Sequence, residues 1–414
     1  MTMTADDRPL ILVIATGMRH YREYLLRSIA TEYRVHLFST AEPGWEREYV
    51  TGWTLVDSTV DGPGMVPAAL GLAAREPVRG VLCWDEARIL AAAHVAEALG
   101  LPGGDTGMVR RCRDKHLTRV ALDAHGVPQP RSLAVGTLEE ALKAAGETGY
   151  PAVLKPRGLG GSLGVIKVDD PEELAGSFAF VRDLTVPDGA TFDVPVLVEE
   201  YADGPEVSVD AVVRNGVVTP LFLARKVLGY EPYCEEVGHY VDARDPLLRD
   251  PEFRRILQDT HTALGFTDGF THTEIKLSSR GPRVIEVNGR LGGDMIPYLG
   301  LLTTGIDPGL AAAAVACGRE PDVTPRRELA AGVRFFYVGE DDTTIESIAF
   351  DEAGLPAAVD RAVPVVEPGA VVSPPPRGTL WGRIAYATAV SADPAECRTA
   401  LDAAETNLKV KAAA

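Results

Sequence analysis

The sequence predicts an α/β fold that opens with a doubly wound parallel unit and continues into sheets built from hairpins. Three observations predict it. Residues 9–16, PLILVIAT, are a continuous apolar run, the pattern of a parallel strand buried on both faces. Strand and helix patterns then alternate as far as GLPGGDTG at residues 100–107. Beyond Tyr150 the pattern changes to paired strands joined by turn residues, with Asn215-Gly216 as the clearest hairpin signal.

In order, the first strand leads into a helix from Arg19 to Thr31, the strand RVHLFST, a third strand VRGVLCW, and a helix from Glu86 to Leu99. A helix carrying Lys115 follows and stops at GVPQPR. YPAVLKP, GVIKVDD and VPVLVEEYA read as strands, with a helix between the last two. EVSVDAVVRNGVVTPLFLAR is a hairpin, residues 251–264 a helix, and 270–288 a second hairpin. From about residue 326, AAGVRFFYV opens a C-terminal segment containing the loop SPPPRG. The expected parts are 1–105, 106–200, 201–325 and 326–414.

A net charge of −18 argues against general affinity for nucleic acid or an anionic membrane. Any phosphate site must be local, made of a few placed cations and backbone amides. The five scattered cysteines contain no C-x-x-C pair, which fits free thiols in a reducing compartment. The N-terminal apolar run is too short to span a membrane and follows acids, so it reads poorly as a signal peptide. A cytoplasmic protein is the expectation.

The stretch RVIEVNGRLGGD, residues 283–294, sets a chemical problem. Glu286, Asn288 and Arg290 fall at period two and leave one face of a strand. If the preceding turn is symmetric about Arg280, Glu274 stands opposite Glu286, about 5 Å away, where like charges destabilise a sheet. A divalent cation resolves the conflict, since two carboxylates and an amide oxygen are hard ligands of the type magnesium takes. Solvated surface acids are the alternative.

Two further stretches bear on the choice. VLKPRGLGGSLGVIKV sets Lys155 at a strand end, ahead of a loop holding Gly158, Gly160, Gly161, Ser162 and Gly164. Such a loop can bring backbone N–H groups close to an anion, or it can be a flexible turn. VLVEEYADGPEVSVD stops an extended segment at Glu199–Tyr201 and resumes at Glu206. Backbone groups of Glu200 and Ala202 could face a flat base there, and Glu206 could accept from ribose hydroxyls.

Taken in order, Lys115, Lys155, the glycine loop, EEYADGPE, HTEIKL and VIEVNGR resemble the ATP-grasp superfamily of carboxylate–amine ligases over residues 106–325. GPE and VLKP look like their counterparts in D-alanine–D-alanine ligases. EEVGH, HTEIKL and EVNGRLGGD look closer to bacterial L-amino acid ligases, which form dipeptides including antibiotic precursors. The resemblance implies an ATP-grasp fold with a C-terminal α+β extension, and ATP with two magnesium ions (or manganese in their place) as cofactors. It implies that Lys115 and Lys155 meet phosphates, with Gly161 and Ser162 in a flap over them. Glu199 and the backbones of Glu200 and Ala202 would meet adenine, and Glu206 ribose. Glu274, Glu286 and Asn288 would hold metal, Arg290 and Gly293 the reacting carboxylate, and Glu236 and His239 the first amino acid.

Arg225 and Lys226 are both candidates for a further γ-phosphate cation, and His272 reads as an ordinary strand histidine. The implied partners are small carboxylate and amine substrates, in a homodimer. The competing expectations are a bicarbonate-using carboxylase, a purine-pathway type of ligase, or a nucleotide-binding regulator without chemistry.

Overall fold

The computed structural model describes residues 7–186 and 192–413. The start of the chain, Met1–Asp6, on which much of the leader reading rests, lies outside the described residues. The N-terminal unit is a four-stranded parallel sheet, as the apolar runs require. Its order is Gly52–Leu55, Arg34–Ser39, Leu10–Ile14, Val78–Leu82. The edge strand Gly52–Leu55 and the helix Gly62–Ala73 were not foreseen. The first is four residues long and only half-buried, and the second starts in Gly-Pro-Gly, held by Asp61 accepting from the Gly64 amide at 3.0 Å. The following helix runs Ile89–Ala98, three residues later than the sequence suggests at its start. Glu86 is thereby left in the loop beyond the end of strand Val78–Leu82.

Strands Ser132–Val135, Val196–Glu200, Ala152–Pro156 and Ile166–Val168 make a second, antiparallel sheet in that order. An eight-stranded antiparallel sheet carries the two hairpins. Asn215 and Gly216 both have positive φ, 51° and 76°, as a two-residue turn between twisted strands demands. In the second hairpin Glu274 does face Glu286, and His272 faces Asn288. The route differs from the expectation. The turn closes at Ser278↔Gly281, one step tighter than symmetry about Arg280, and an irregularity beside Glu274 restores the register.

Strands Ala330–Tyr337, Arg383–Ser391 and Val359–Pro364 extend this same sheet beyond Glu235–Asp242. C-terminal residues alone form only a small sheet of Val371–Val372, Thr343–Phe350 and Leu408–Ala412.

One core binds the N-terminal unit to the large sheet. Tyr21, Leu25 and Ile29 of the first helix share it with Phe222, Leu299 and Tyr386. Helices Ile296–Thr304 and Pro308–Ala316 contribute to it, and no single helix among the described residues is long and apolar enough to cross a membrane. Gly300 lets the chain pack tightly here, for a Cβ there would lie 2.3 Å from the buried Phe222 ring. Gly300→Ala should therefore lower the melting temperature, with a cost of about 1–3 kcal/mol for overpacking. Adding Phe222→Leu should recover part of the loss; a single variant melting like the parent would contradict this packing.

Candidate active site

A cleft of about 840 Å³ separates the second sheet from the large one. Lys115, Lys155, Gly161, Ser162, Glu199, Glu200, Ala202, Glu206, Glu274 and Glu286 all line it. Val153 and Val165 from one side, and Leu228 and Ile285 from the other, leave an apolar slot of the kind a flat base occupies. Ala202 lines this slot, and its N–H has no acceptor among the described residues.

Two details depart from the side-chain roles implied by resemblance. The Glu199 carboxylate is engaged by Arg119 at 2.8 and 3.1 Å and by Lys155 at 2.6 Å. Burial opposes its charge, but the two cations hold it down at about 2. Its visible work is to fix Lys155, rather than to offer oxygen to a base. Glu200 turns its carboxylate to Arg280 and the Arg131 amide, so only its backbone is left for the slot.

At the inner end of the cleft every acid has a cation. Lys115 Nζ lies 3.0 Å from Glu286 and also donates to the Leu159 carbonyl. Strand alternation sends Arg225 outward to Asp245, at 2.8 Å, and Lys226 inward. Lys226 meets Glu206, Glu236 at 3.0 Å and Glu274 at 3.1 Å. Burial disfavours its charge, yet the three carboxylates outweigh that and hold it well above the usual lysine range.

The donor set fits a divalent cation. One polar atom of the Asn288 amide lies 3.2 Å from Glu286 Oε1 and 2.9 and 3.2 Å from the Glu86 oxygens. With no cation between them that atom must be nitrogen, because an oxygen would meet only acceptors. With a cation the amide can turn its oxygen inward. Glu274, Glu286 and Asn288 are thus disposed to hold a hard ion.

His272 is more than a strand histidine. Its Nδ1 lies 2.6 Å from Asp210 and its Nε2 3.6 Å from Glu274. Burial lowers its basicity, but Asp210 and Glu274 raise it to about 9, so it is a cation that orients Glu274. Asp210 also accepts the Gly292 N–H at 3.0 Å. That bond takes up the Gly292 amide, so it is not free for a ligand. The Gly293 N–H is left with no acceptor among the described residues. A Cβ at Gly292 would meet Asp210 at 2.8 Å and His272 at 2.9 Å, which explains the glycine.

A second cavity continues from the first and is lined by Gly161, Glu236, Glu274, Glu286, Asn288, Arg290 and Gly293. Arg290 donates to Glu86 at 2.5 Å and to the Leu291 carbonyl at 2.7 Å. Ser162 Oγ donates to Glu236 at 3.4 Å, so the glycine loop touches this cavity as well as the cleft. His239 is fully buried behind the wall, 2.9 Å from Asp294 and 3.4 Å from Glu236. Asp294 has a positive φ of 47° and is gripped by Arg383 at 2.5 and 3.2 Å. Burial resists its ionisation, but Arg383 and His239 keep it well below the usual carboxylate range. Glu236, His239 and Asp294 are close enough to share an ion. With Lys226 and Arg383 already on the two carboxylates, an ammonium group suits them better than a metal.

Three participants escaped the sequence reading: Glu86, Asp210 and Arg383. Glu86 follows the end of a parallel strand, where ligands gather in open α/β sheets, and that position could have flagged it. Arg383 opens a buried strand with a charge, a weaker signal.

A sequence profile of the ATP-grasp domain matches residues 148–298. The solved structure of an L-amino acid ligase from Bacillus licheniformis superposes with a TM-score of 0.81 and 23% identity, covering 98% of this chain and 99% of that one. The chain carries an ATP-grasp domain over residues 148–298. It is also 30% identical to the uncharacterized protein y4rH of Sinorhizobium fredii, over 76% of this chain and 64% of that one. An alanine–anticapsin ligase of Bacillus subtilis is 29% identical over 58% of this chain and 54% of its own length. The chain thus spans only half to two thirds of these curated relatives.

Burial pushes Lys155 down to about 8, and Glu199 only partly offsets it. A bound phosphate would favour the protonated amine, so ATP-grasp nucleotide binding should be strongest below that value. Affinity should fall as pH rises through it, by up to about tenfold per unit. Titrating ATP by calorimetry between pH 7.5 and 9.5 checks this; a flat wild-type profile, or the same slope in Lys155→Met, would contradict it.

Proposed function

We propose that this ATP-grasp protein is a carboxylate–amine ligase. It joins amino acids or amino-acid-like molecules through an amide or peptide bond, with ADP and phosphate released. The observation that carries the reading is the meeting of Lys115, Lys155 and Lys226 with Glu274, Glu286 and Asn288 at one end of the cleft, next to Arg290 and Gly293. The likeness to an alanine–anticapsin ligase supports an amino-acid substrate.

In the first step a carboxylate oxygen of the acyl donor attacks the γ-phosphorus of ATP. The new O–P bond forms as the bridge to the β-phosphate breaks, giving an acyl phosphate and ADP. Lys115, Lys155 and Lys226 would bind and orient the phosphates. Glu274, Glu286 and Asn288 would hold magnesium, which when bound neutralises charge on the β- and γ-oxygens. The Gly160–Ser162 loop would exclude water that otherwise hydrolyses the intermediate. Ser162 donates to Glu236, so the same loop borders the proposed donor site.

In the second step the amine attacks the acyl carbon, phosphate leaves with the C–O electrons, and the amine sheds a proton. Arg290 and the Gly293 N–H would be the donors for the tetrahedral oxyanion. Glu236, with His239 and Asp294 behind it, would receive the donor's ammonium group.

The five free thiols support a reducing, cytoplasmic setting. We also read the protein as a homodimer, which light scattering can test.

Phosphate release should require ATP, magnesium and an amino acid, and mass spectrometry should find the condensed product. Arg290→Met should slow ligation by roughly two to three orders of magnitude, the cost of losing an oxyanion donor, while ATP affinity barely moves. Release that needs bicarbonate and no amino acid would overturn the reading in favour of a carboxylase. A variant that ligates normally would remove Arg290 from the chemistry.

A further inference from the structure

Beyond Arg290 the chain of cavities opens into its largest chamber, about 1440 Å³, between the N-terminal unit and the Leu380–Trp381 turn. Gly17 and Met18 enter it from the end of strand Leu10–Ile14, and Trp84 to Arg88 from the end of strand Val78–Leu82. These two strands are neighbours, while the next strand in sequence lies on the other side of Leu10–Ile14. The chamber therefore sits at the switch point of the parallel sheet, where open α/β sheets bind ligands.

Five arginines line the chamber. Arg88 pairs with Asp85 at 2.6 Å, Arg290 with Glu86 at 2.5 Å, Arg113 with Glu86 at 3.9 Å, and Arg383 with Asp294 at 2.5 Å. Arg22 differs. Among the described residues no carboxylate lies within ion-pair distance of it; its two terminal nitrogens each lie 3.4 Å from the Gly292 carbonyl, and its side chain also approaches the buried Tyr24 hydroxyl. Half-buried on the helix Arg19–Glu32, it points its charge at the residue next to Gly293.

We infer that Arg22 binds a carboxylate on the amine substrate, so that the acceptor is an amino acid and not a simple amine. This rests on the ligase reading. The attacking nitrogen must approach the acyl carbon held by Arg290 and the Gly293 N–H. In an α-amino acid the carboxylate carbon is two bonds from that nitrogen. A guanidinium beside Gly292 lies within such a molecule's reach, and it can grip both carboxylate oxygens. Lys115, Lys155 and Lys226 of the nucleotide cleft and Glu236 of the donor site do not line this chamber, so Arg22 serves only the second step.

Hydroxylamine separates this inference from the reading beneath it. It attacks an acyl phosphate without carrying a carboxylate, and the hydroxamate reports the first step alone. Wild-type protein with magnesium and ATP is screened against the standard amino acids plus hydroxylamine. The best donor is then paired with acceptor amino acids and with their amides. The wild type should prefer the acids. Arg22→Met should raise the KM for amino-acid acceptors about ten- to a hundredfold, the worth of a charged hydrogen-bonded pair. It should leave hydroxamate formation and the KM of the amides near their starting values, and Arg22→Lys should restore part of the loss. Equal use of acids and amides by the wild type, or unchanged acceptor KM in Arg22→Met, would overturn the role. So would an equal loss of hydroxamate formation, which would mark Arg22 as structural. No hydroxamate with any amino acid in the wild type would overturn the ligase reading itself, and this inference with it.

Discussion

Two glutamates face each other across one hairpin, and much of the surrounding structure exists to accommodate them. Glu274 and Glu286 are a directly opposed pair, an arrangement that repels in an ordinary sheet. Each is met by a lysine from a different part of the chain: Lys226 from the neighbouring hairpin, and Lys115 from the helix Lys115–Ala124. His272 adds a positive charge at Glu274, itself fixed by Asp210. Such a pair costs stability unless countercharges are always at hand, so its retention is better explained by a ligand than by folding.

The same constraint organises the wider site. The Asp210 that charges His272 also takes the Gly292 amide, and this turns the Gly292–Gly293 strip so that Gly293 N–H is the one left available. Arg290, two residues past the end of strand Gly281–Asn288, is caught by Glu86 of the N-terminal unit. Asp294, four residues on, is caught by Arg383 from the C-terminal part. Three distant stretches of chain thus converge on a segment of five residues. Their shared core, running from Tyr21 through Phe222 to Tyr386, keeps that convergence rigid.

What the sequence made legible follows period and punctuation. The buried parallel strands, the Asn215-Gly216 turn and the Glu274–Glu286 register all come from short-range pattern. The edge strand Gly52–Leu55 and the helix Gly62–Ala73 were hidden because one is very short and the other opens in residues that disfavour helix. Partnerships were harder. Nothing local marks Glu199 as a holder of Lys155, nor separates Lys226 from Arg225 until the strand's facing is known. Glu86 and Arg383 act on residues 204 and 89 positions away, respectively, and only the tertiary fold brings them there.

The central claim is that the opposed glutamates are a cation site completed by nucleotide. Manganese titration followed by electron paramagnetic resonance tests it most directly, with and without a non-hydrolysable ATP analogue, on wild type and on Glu286→Gln. The account predicts tight manganese binding that depends on the nucleotide and is greatly weakened in the variant, with nucleotide still bound through the lysines. Wild-type-like manganese binding in Glu286→Gln, or binding indifferent to nucleotide, would contradict it.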